Sequence, residues 1–259
     1  MITTTLNLRT ACTTVFVGAL ATISTAQFDI NSILQQQGSG MRMEDDNDPF
    51  VPNSFSGSFS MEMHLFDATS ELKESPMNLR YWSSEDRMLV GMTVPGQGGR
   101  DVKMMTDLKG KWQYMLMIDA EGKRMAMKSR KKKFVLPDSV QQKHKENKDM
   151  DITVTSEKKT IEGHSCTKVI GKCEEGLWTG WVAKDLKGPY ADMARHVRAS
   201  DATMNKRMSE VQGFALEFEW VPADGKNRMV CYIKDLAPGT VDADVFSLDG
   251  YEMIQIPGK

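Results

Sequence analysis

The sequence predicts a mainly β protein of the α+β class, with about ten or eleven short strands and a helical insertion near residues 187–208. From Phe55 onward, apolar and polar residues alternate with a period of two, which is typical of half-buried strands. Glycine-containing turn signals separate these segments, so consecutive strands are expected to pair antiparallel. A sheet of this size is expected to curl, because open twisted sheets seldom exceed about ten strands.

Charge and composition exclude several classes of protein. The 259 residues include 33 Lys and Arg against 35 Asp and Glu, a formal net charge of −2. This balance lacks the basic surface typical of nucleic-acid-binding proteins. The content of 20 Gly and 9 Pro excludes collagen-like and low-complexity chains. Twenty methionines are many for this length, and they require a structural or functional reason.

The first 26 residues have the features of a secretory signal peptide. Arg9 precedes a mostly uncharged run, 11–23, that is too short to span a bilayer, and small residues at 24–26 suit cleavage before Gln27. The protein is therefore expected to be periplasmic or secreted, with no transmembrane segment in the mature chain. The polar residues 27–54 are predicted to form a flexible leader.

The first half of the predicted sheet is the more regular. Phe59, Met61, Met63 and Leu65 alternate with polar residues and define the first strand. Further strands are predicted at 76–82, 88–92, 101–107, 111–118 and from Met125. The basic segment 128–148 interrupts the pattern. Its run 130–133 is either a patch for an anionic surface or a solvated loop or helix face, and the sequence does not decide between them.

The second half resumes with strands at 152–156, 159–161, 166–173 and 177–183. The helical insertion follows, with Pro189 near its start and Met193, Val197 and Met204 at helical spacing. Two last strands carry Phe214, Leu216, Phe218 and Trp220, and then Met229, Cys231 and Ile233, across an Asp224-Gly225 hairpin turn.

Three cysteines, Cys166, Cys173 and Cys231, remain after the expected cleavage. A bridge from Cys166 to Cys173 needs a hairpin at Gly171, and a bridge from Cys166 to Cys231 needs neighbouring strands. The alternative is that they are buried small hydrophobic residues. The chain has no Cys-x-x-Cys motif, which disfavours a zinc ribbon or a thioredoxin-type site.

Five motifs occur in an order that resembles a known family. They are Phe55–Phe59, Ile161–Lys168, Trp178–Leu186, Gly213–Glu217 and Phe246–Tyr251. Together they resemble an exported bacterial family catalogued as a domain of unknown function, which is similar to the lipoprotein-carrier (LolA/LolB-like) superfamily. The likeness covers residues 55–256 as a single domain. It implies a half-open antiparallel β-barrel with helices at its mouth, outside the cytoplasm, and it supplies no catalytic residues.

The resemblance suggests a binding mechanism that the residues support. A concave apolar wall under a movable lid binds an apolar ligand without chemistry, and methionine adapts to varied apolar partners. The lid is assigned to Met193, Val197 and Met204. The predicted ligand-lining residues are Phe59, Met61, Met63, Leu65, Met88, Val90, Phe214, Leu216, Phe218 and Trp220. The alternative is that these residues only pack the hydrophobic core and bind no ligand.

The predicted function is a non-enzymatic binding protein for a lipid or other apolar ligand. A second hypothesis is a protein–protein interaction or envelope-signalling module without a small ligand, which a side-chain-filled wall favours. A third is a copper-handling protein, because thioethers suit Cu(I). It rests on Met-x-Met pairs at 41/43, 61/63, 115/117 and 125/127.

An enzyme is not predicted. The four histidines occur without a HExxH motif, and the chain has no GxSxG motif or glycine-rich phosphate loop. His164 is close in sequence to Cys166, but a third catalytic or metal-ligating residue is not evident. We therefore predict no catalytic residues and no cofactor, and we assign no metal ligands.

Overall fold

A computed structural model describes residues 42–67, 76–93, 101–118, 121–135, 151–174, 176–190, 192 and 212–255. These residues form fourteen strands and one bounded helix, the short 3-10 helix Ala243–Phe246. The strands are β1 (Arg42–Asp45), β2 (Gly57–Leu65), β3 (Met77–Ser83), β4 (Arg87–Thr93), β5 (Asp101–Asp107), β6 (Trp112–Ile118), β7 (Arg124–Arg130), β8 (Lys132–Val135), β9 (Asp151–Ile161), β10 (His164–Cys173), β11 (Gly176–Ala183), β12 (Phe214–Pro222), β13 (Met229–Pro238) and β14 (Glu252–Gln255).

Twelve strands form one sheet in the order β14-β7-β6-β5-β4-β3-β2-β13-β12-β11-β10-β9. All neighbours are antiparallel except β14, which pairs parallel with β7. Two meanders, β2 to β7 and β9 to β13, meet where β2 pairs with β13. The predicted β class and antiparallel pairing are confirmed. The predicted half-open barrel is not, because β14 and β9 end the order and the sheet is not closed into a barrel.

The strand count exceeds the predicted ten or eleven because charged segments also form strands. β1 and β8 pair with each other as a separate two-stranded sheet, and β1 lies within the predicted flexible leader. The predicted strands 152–156 and 159–161 are one strand, β9. It turns into β10 through Glu162 and Gly163, which both have positive φ values.

The helical insertion predicted near 187–208 is not supported. Residues 187–190 and 192 are described there, and Tyr190 is buried with its hydroxyl donating to the carbonyl oxygen of Ala215 at 3.0 Å. The rest of the segment, including the predicted lid residues Met193, Val197 and Met204, lies outside the described residues. Within the described part of the chain, no helix is long and apolar enough to cross a membrane.

The main core lies on the face of the sheet that carries Phe59, Met61 and Met63, here called the inner face. Phe59 on β2 stacks on Tyr81 of β3, with ring centroids 5.0 Å apart. Phe59 also contacts Phe214 of β12 at 5.4 Å, although β13 separates their strands. In a flat sheet those strands would be about 9.6 Å apart. The two rings therefore reach across the intervening strand β13 and join β2 to β12 on the inner face.

A second core lies on the opposite, outer face of β4 to β7. It is built from Leu89, Met105, Tyr114, Leu116 and Ala126, which Phe246 of the 3-10 helix covers. Arg124 lies 4.1 Å over the ring of Tyr251 and helps to hold the same C-terminal segment in place. The outer face of this half of the sheet is therefore covered by the chain's own C-terminal residues.

Neither of the two disulfides considered for Cys166, Cys173 and Cys231 is present in the part of the chain that the structure describes. Cys166 and Cys173 are on the same continuous strand, β10, without a hairpin at Gly171. Cys231 is on β13, and β11 and β12 separate it from β10. Cys166 and Cys231 are buried, and burial raises the pKa of both thiols, as expected for small core residues.

The acidic end of the predicted leader binds the start of the basic segment. The pairs with that segment are Asp46 with Lys131, Asp45 with Lys132, and Asp48 with Lys133, and Asp46 also pairs with Lys111 in the turn between β5 and β6. Asp46 and Lys131 are 7% and 5% exposed, so their pair is buried. Neither alternative predicted for 130–133 describes Lys131, because its charge is neutralised inside the protein rather than presented to solvent or to an anionic surface.

Candidate apolar binding face

All ten predicted ligand-lining residues belong to the inner-face core. Seven are buried, whereas Leu65, Val90 and Trp220 are partly buried and pack against that core. The indole Nε1 of Trp220 is buried without a hydrogen-bond partner. The inner face therefore has one unsatisfied hydrogen-bond donor on β12. Sequence periodicity therefore identified a shared face, and the contacts decide whether that face is open.

The middle of this face is filled by aromatic side chains. Phe55 packs against both Phe59 and Phe214, with ring centroids 5.9 Å apart in each case. Tyr190 packs against Phe214 at 5.4 Å and against Phe218 at 5.9 Å. Phe59 and Phe214 are completely buried as a result. At this point the predicted lining residues are core residues that contact one another rather than the walls of a hollow.

Toward β14, the inner face of the sheet becomes accessible to solvent. A row of directly opposed residues crosses seven strands from β2 to β14. It consists of Phe59, Tyr81, Val90, Met104, Met115, Met127 and Ile254. Phe59 and Tyr81 are fully buried, the next four residues are half-buried, and Ile254 is 42% exposed. The row is apolar along its whole length and becomes accessible as it leaves the core.

A second pair of opposed methionines lies beside this row. Met117 on β6 is opposite Met125 on β7, two residues along from Met115 and Met127 on the same face. With Met104, these five half-buried methionines belong to neither of the two core clusters. We call their surface on β5 to β7 the methionine face. None of the five was among the predicted lining residues, although the 115/117 and 125/127 pairs had been singled out as thioether donors.

The outer face of β2, β3 and β13 carries polar and charged side chains that pair with one another. Glu62 accepts hydrogen bonds from Lys234 at 2.6 Å and from His64 at 2.8 Å, and these lower the pKa of its carboxyl group. Arg80 pairs with Asp235 at 3.2 Å. His64 thus faces away from Met63, as strand alternation predicted. These charges make this outer surface a poor site for an apolar ligand.

The geometry at His164 and Cys166 does not activate a nucleophile. His164 Nδ1 lies 2.7 Å from Asp185 Oδ2, and this hydrogen bond lowers the pKa of the Asp185 carboxyl group. The Cys166 thiol points instead at the carbonyl oxygen of His164, 3.6 Å away, and is buried with a raised pKa. A reactive cysteine has a lowered pKa and an adjacent base. Over the described ranges, no group of three or more His, Cys, Asp or Glu residues is arranged to hold a metal ion.

The family model for a domain of unknown function, DUF4412, matches residues 55–249, most of the chain. The chain belongs to the DUF4412 family. The predicted membership in a domain-of-unknown-function family is confirmed, with bounds close to the predicted 55–256. No curated protein matches the chain.

Several solved structures are similar to this DUF4412 protein at low sequence identity. A structure of PNGF-II is 10% identical with a TM-score of 0.34, covering 78% of this chain and 31% of that one, so the chain spans about a third of its length. A DUF1329 family protein from Desulfovibrio piger is 8% identical with a TM-score of 0.22, covering 77% and 92%. A putative outer membrane lipoprotein-sorting protein domain from Vibrio parahaemolyticus is 9% identical with a TM-score of 0.22, covering 74% and 89%.

Proposed function

We propose that this DUF4412 protein is a non-enzymatic binding protein of the cell envelope that takes an acyl chain or similar apolar ligand on its methionine face. One observation carries the proposal: the apolar row that begins in the sealed core continues across β5 to β7 as half-buried methionines. Ligand sites are mostly apolar and usually largely pre-formed. The sheet supplies such a pre-formed surface, and the inner face supplies the apolar lining.

Methionine is suited to this role because its unbranched thioether side chain repacks around ligands of different shape. The five methionines extend over two residues along the strands and over the three strands β5 to β7, so the face measures about 7 Å along the strands and about 10 Å across them. Residues 1–26, with the features of a signal peptide, support placing the protein in the envelope. Because aromatic side chains around Phe55 and Tyr190 fill the middle of the inner face, the proposed site is limited to strands β5 to β7.

We expect Met115→Glu/Met127→Glu to weaken binding of the fluorescent fatty acid cis-parinaric acid by roughly tenfold or more, because charge in the middle of the row must be desolvated by the ligand. The measurement is a fluorescence titration of the purified full chain. The matched control is Met253→Glu on β14, since Met253 is 45% exposed and is opposite Ala126 of the outer-face core. Thermal unfolding checks that all variants are folded.

The proposal is contradicted if the wild-type chain does not bind the probe, or if the control loses as much affinity as the double variant. Native mass spectrometry of protein purified from its own host, followed by organic extraction, tests the same claim without a chosen probe. A clean apo mass combined with a co-purifying protein would favour the interaction-module hypothesis. Strand β9, which ends the sheet among the described residues, is a weak docking edge, because it carries Asp151, Glu157, Lys158 and Lys159.

A further inference from the structure

We propose that four residues of the methionine face, here called the methionine quartet, form a binding site for a soft monovalent metal ion, Cu(I) or Ag(I). The quartet consists of Met115, Met117, Met125 and Met127. This inference goes beyond apolar-ligand binding, because it uses the sulfur atoms of the quartet rather than its apolar surface. Thioether sulfur is a soft ligand that selects Cu(I) over the harder divalent cations.

The strand register brings the quartet together. Met115 is opposite Met127, and Met117 is opposite Met125, in an antiparallel pair. Opposed residues have Cβ atoms about 5 Å apart, and residues two apart on one strand are about 6.8 Å apart. The four Cβ atoms therefore mark a rectangle about 5 by 7 Å. Each methionine reaches inward through flexible bonds, so three or four sulfur atoms can meet over its centre.

The accessibility of the quartet also fits an exchangeable ion. All four side chains are half-buried and belong to neither core cluster, so each remains partly accessible to an ion from solvent. Met104, the fifth methionine of the face, differs because its sulfur accepts a hydrogen bond from the Gln113 amide at 2.6 Å. Met104 is therefore left out of the proposed ligand set.

The surroundings favour a cation of low charge. Glu252 is opposite Met125 on the same face and forms an ion pair with Lys123, so the local charge is close to balanced. Such a site would be poor for Zn²⁺ or Mg²⁺, which need thiolate, imidazole or carboxylate ligands. A monovalent soft ion requires no compensating anionic ligands and is held by polarizable sulfur.

The test uses the full chain in a background with Cys12→Ser and Cys173→Ser, because Cys173 is only partly buried, Cys12 lies outside the described residues, and thiols compete with thioethers for soft metal ions. Ag(I), which needs no reductant, is titrated into protein labelled with ¹³C at the methionine methyl groups. Cu(I) affinity is then measured by competition with bicinchoninate under ascorbate. We expect a single Ag(I) per chain to shift the four methyl resonances of the quartet, identified through single Met→Leu variants.

Leucine substitution of the whole quartet is expected to weaken Cu(I) binding by roughly 100-fold or more, since every proposed donor is removed. Met253→Leu, at an exposed methionine outside the quartet, should leave the affinity unchanged. If the fourfold variant does not fold, Met127→Leu alone should still weaken binding by roughly tenfold. Absence of stoichiometric binding, or binding that survives loss of the quartet, overturns the inference.

The same leucine variant separates this inference from the proposed function. Leucine keeps the face apolar at nearly the same volume, so cis-parinaric acid should still bind while Cu(I) does not. The glutamate variant should lose the fatty acid. Failure of metal binding with retained fatty-acid binding would overturn the metal site alone, and the reverse result would overturn the apolar-ligand proposal alone.

Discussion

Replacing Lys131 with methionine is expected to destabilise the protein by about 3–5 kcal/mol, because it leaves the Asp46 carboxylate buried without its closest cation. Asp46 and Lys131 are both nearly inaccessible, and Lys111 is a more distant partner at 3.4 Å. The backbone amide of Asp46 also donates to the carbonyl oxygen of Lys131 at 2.9 Å, so the pair lies where the β1–β8 sheet leaves the main sheet. Urea denaturation followed by circular dichroism measures the loss.

The matched control is Lys132→Met, which breaks a neighbouring ion pair with Asp45. Those side chains are 36% and 51% exposed, and exposed pairs contribute at most about 1 kcal/mol. A double variant, Asp46→Leu/Lys131→Met, should recover much of the stability, because it removes both buried charges. Equal losses from Lys131→Met and Lys132→Met would show that burial of the pair does not govern its contribution.

The pH dependence of stability should follow Asp46. Burial works to raise the pKa of its carboxyl group. The hydrogen bond and the charge of Lys131, helped by a hydrogen bond from the backbone amide of Asp48 and by the charge of Lys111, outweigh burial and hold the pKa below its ordinary value of 3.8. A group with a lowered pKa in the folded state contributes stability above its unfolded pKa and loses it as the pH falls through the folded value. We expect Asp46→Asn to lose stability less steeply than wild type below about pH 4. Parallel curves for the two proteins would contradict this.

Strand alternation predicted the inner face well because it is a local property. Phe59, Met61 and Met63 alternate with polar residues, and that parity fixed their common face before any contact was known. What alternation could not predict is which apolar stretch of the face is sealed. Phe55 and Tyr190 fill the middle from segments outside the strands they cover, and these long-range contacts have no periodic signature.

The charged segments were predicted least well. Asp45 and Asp46 were assigned to a flexible leader, and Lys131 was taken either as a surface patch or as part of a solvated loop. Runs of opposite charge separated by about 85 residues in sequence do not indicate pairing by themselves. The complementary signs were the available signal, but a surface patch and a mutual ion pair have the same composition. Only the β1–β8 register distinguishes them.

Replacing Asp192 with alanine is expected to destabilise the protein by about 2–4 kcal/mol, because the buried amide of Phe55 and the partly buried amide of Ser54 lose their acceptor. Asp192 is completely buried, and its Oδ2 atom accepts from the Ser54 amide at 2.9 Å, the Ser54 hydroxyl at 2.9 Å and the Phe55 amide at 3.0 Å. These bonds join the segment that carries Tyr190 to the one that carries Phe55, the two aromatic residues that fill the middle of the inner face. Thermal and urea unfolding measure the loss.

Two further variants isolate the cause of that loss. Ser54→Ala removes the hydroxyl donor but leaves both amides bonded to Asp192, so it should cost about 1 kcal/mol. Asp192→Asn keeps one acceptor oxygen and should fall between the other two. If Asp192→Ala cost no more than Ser54→Ala, the carboxylate would not be what fixes Phe55 against the core.

If the expected order holds, the filled middle of the inner face depends on one buried carboxylate, and loss of that carboxylate should also open the region to cis-parinaric acid. A gain of probe binding in Asp192→Ala that persists in the Met115→Glu/Met127→Glu background would locate the new site at the middle of the face rather than on the methionine face.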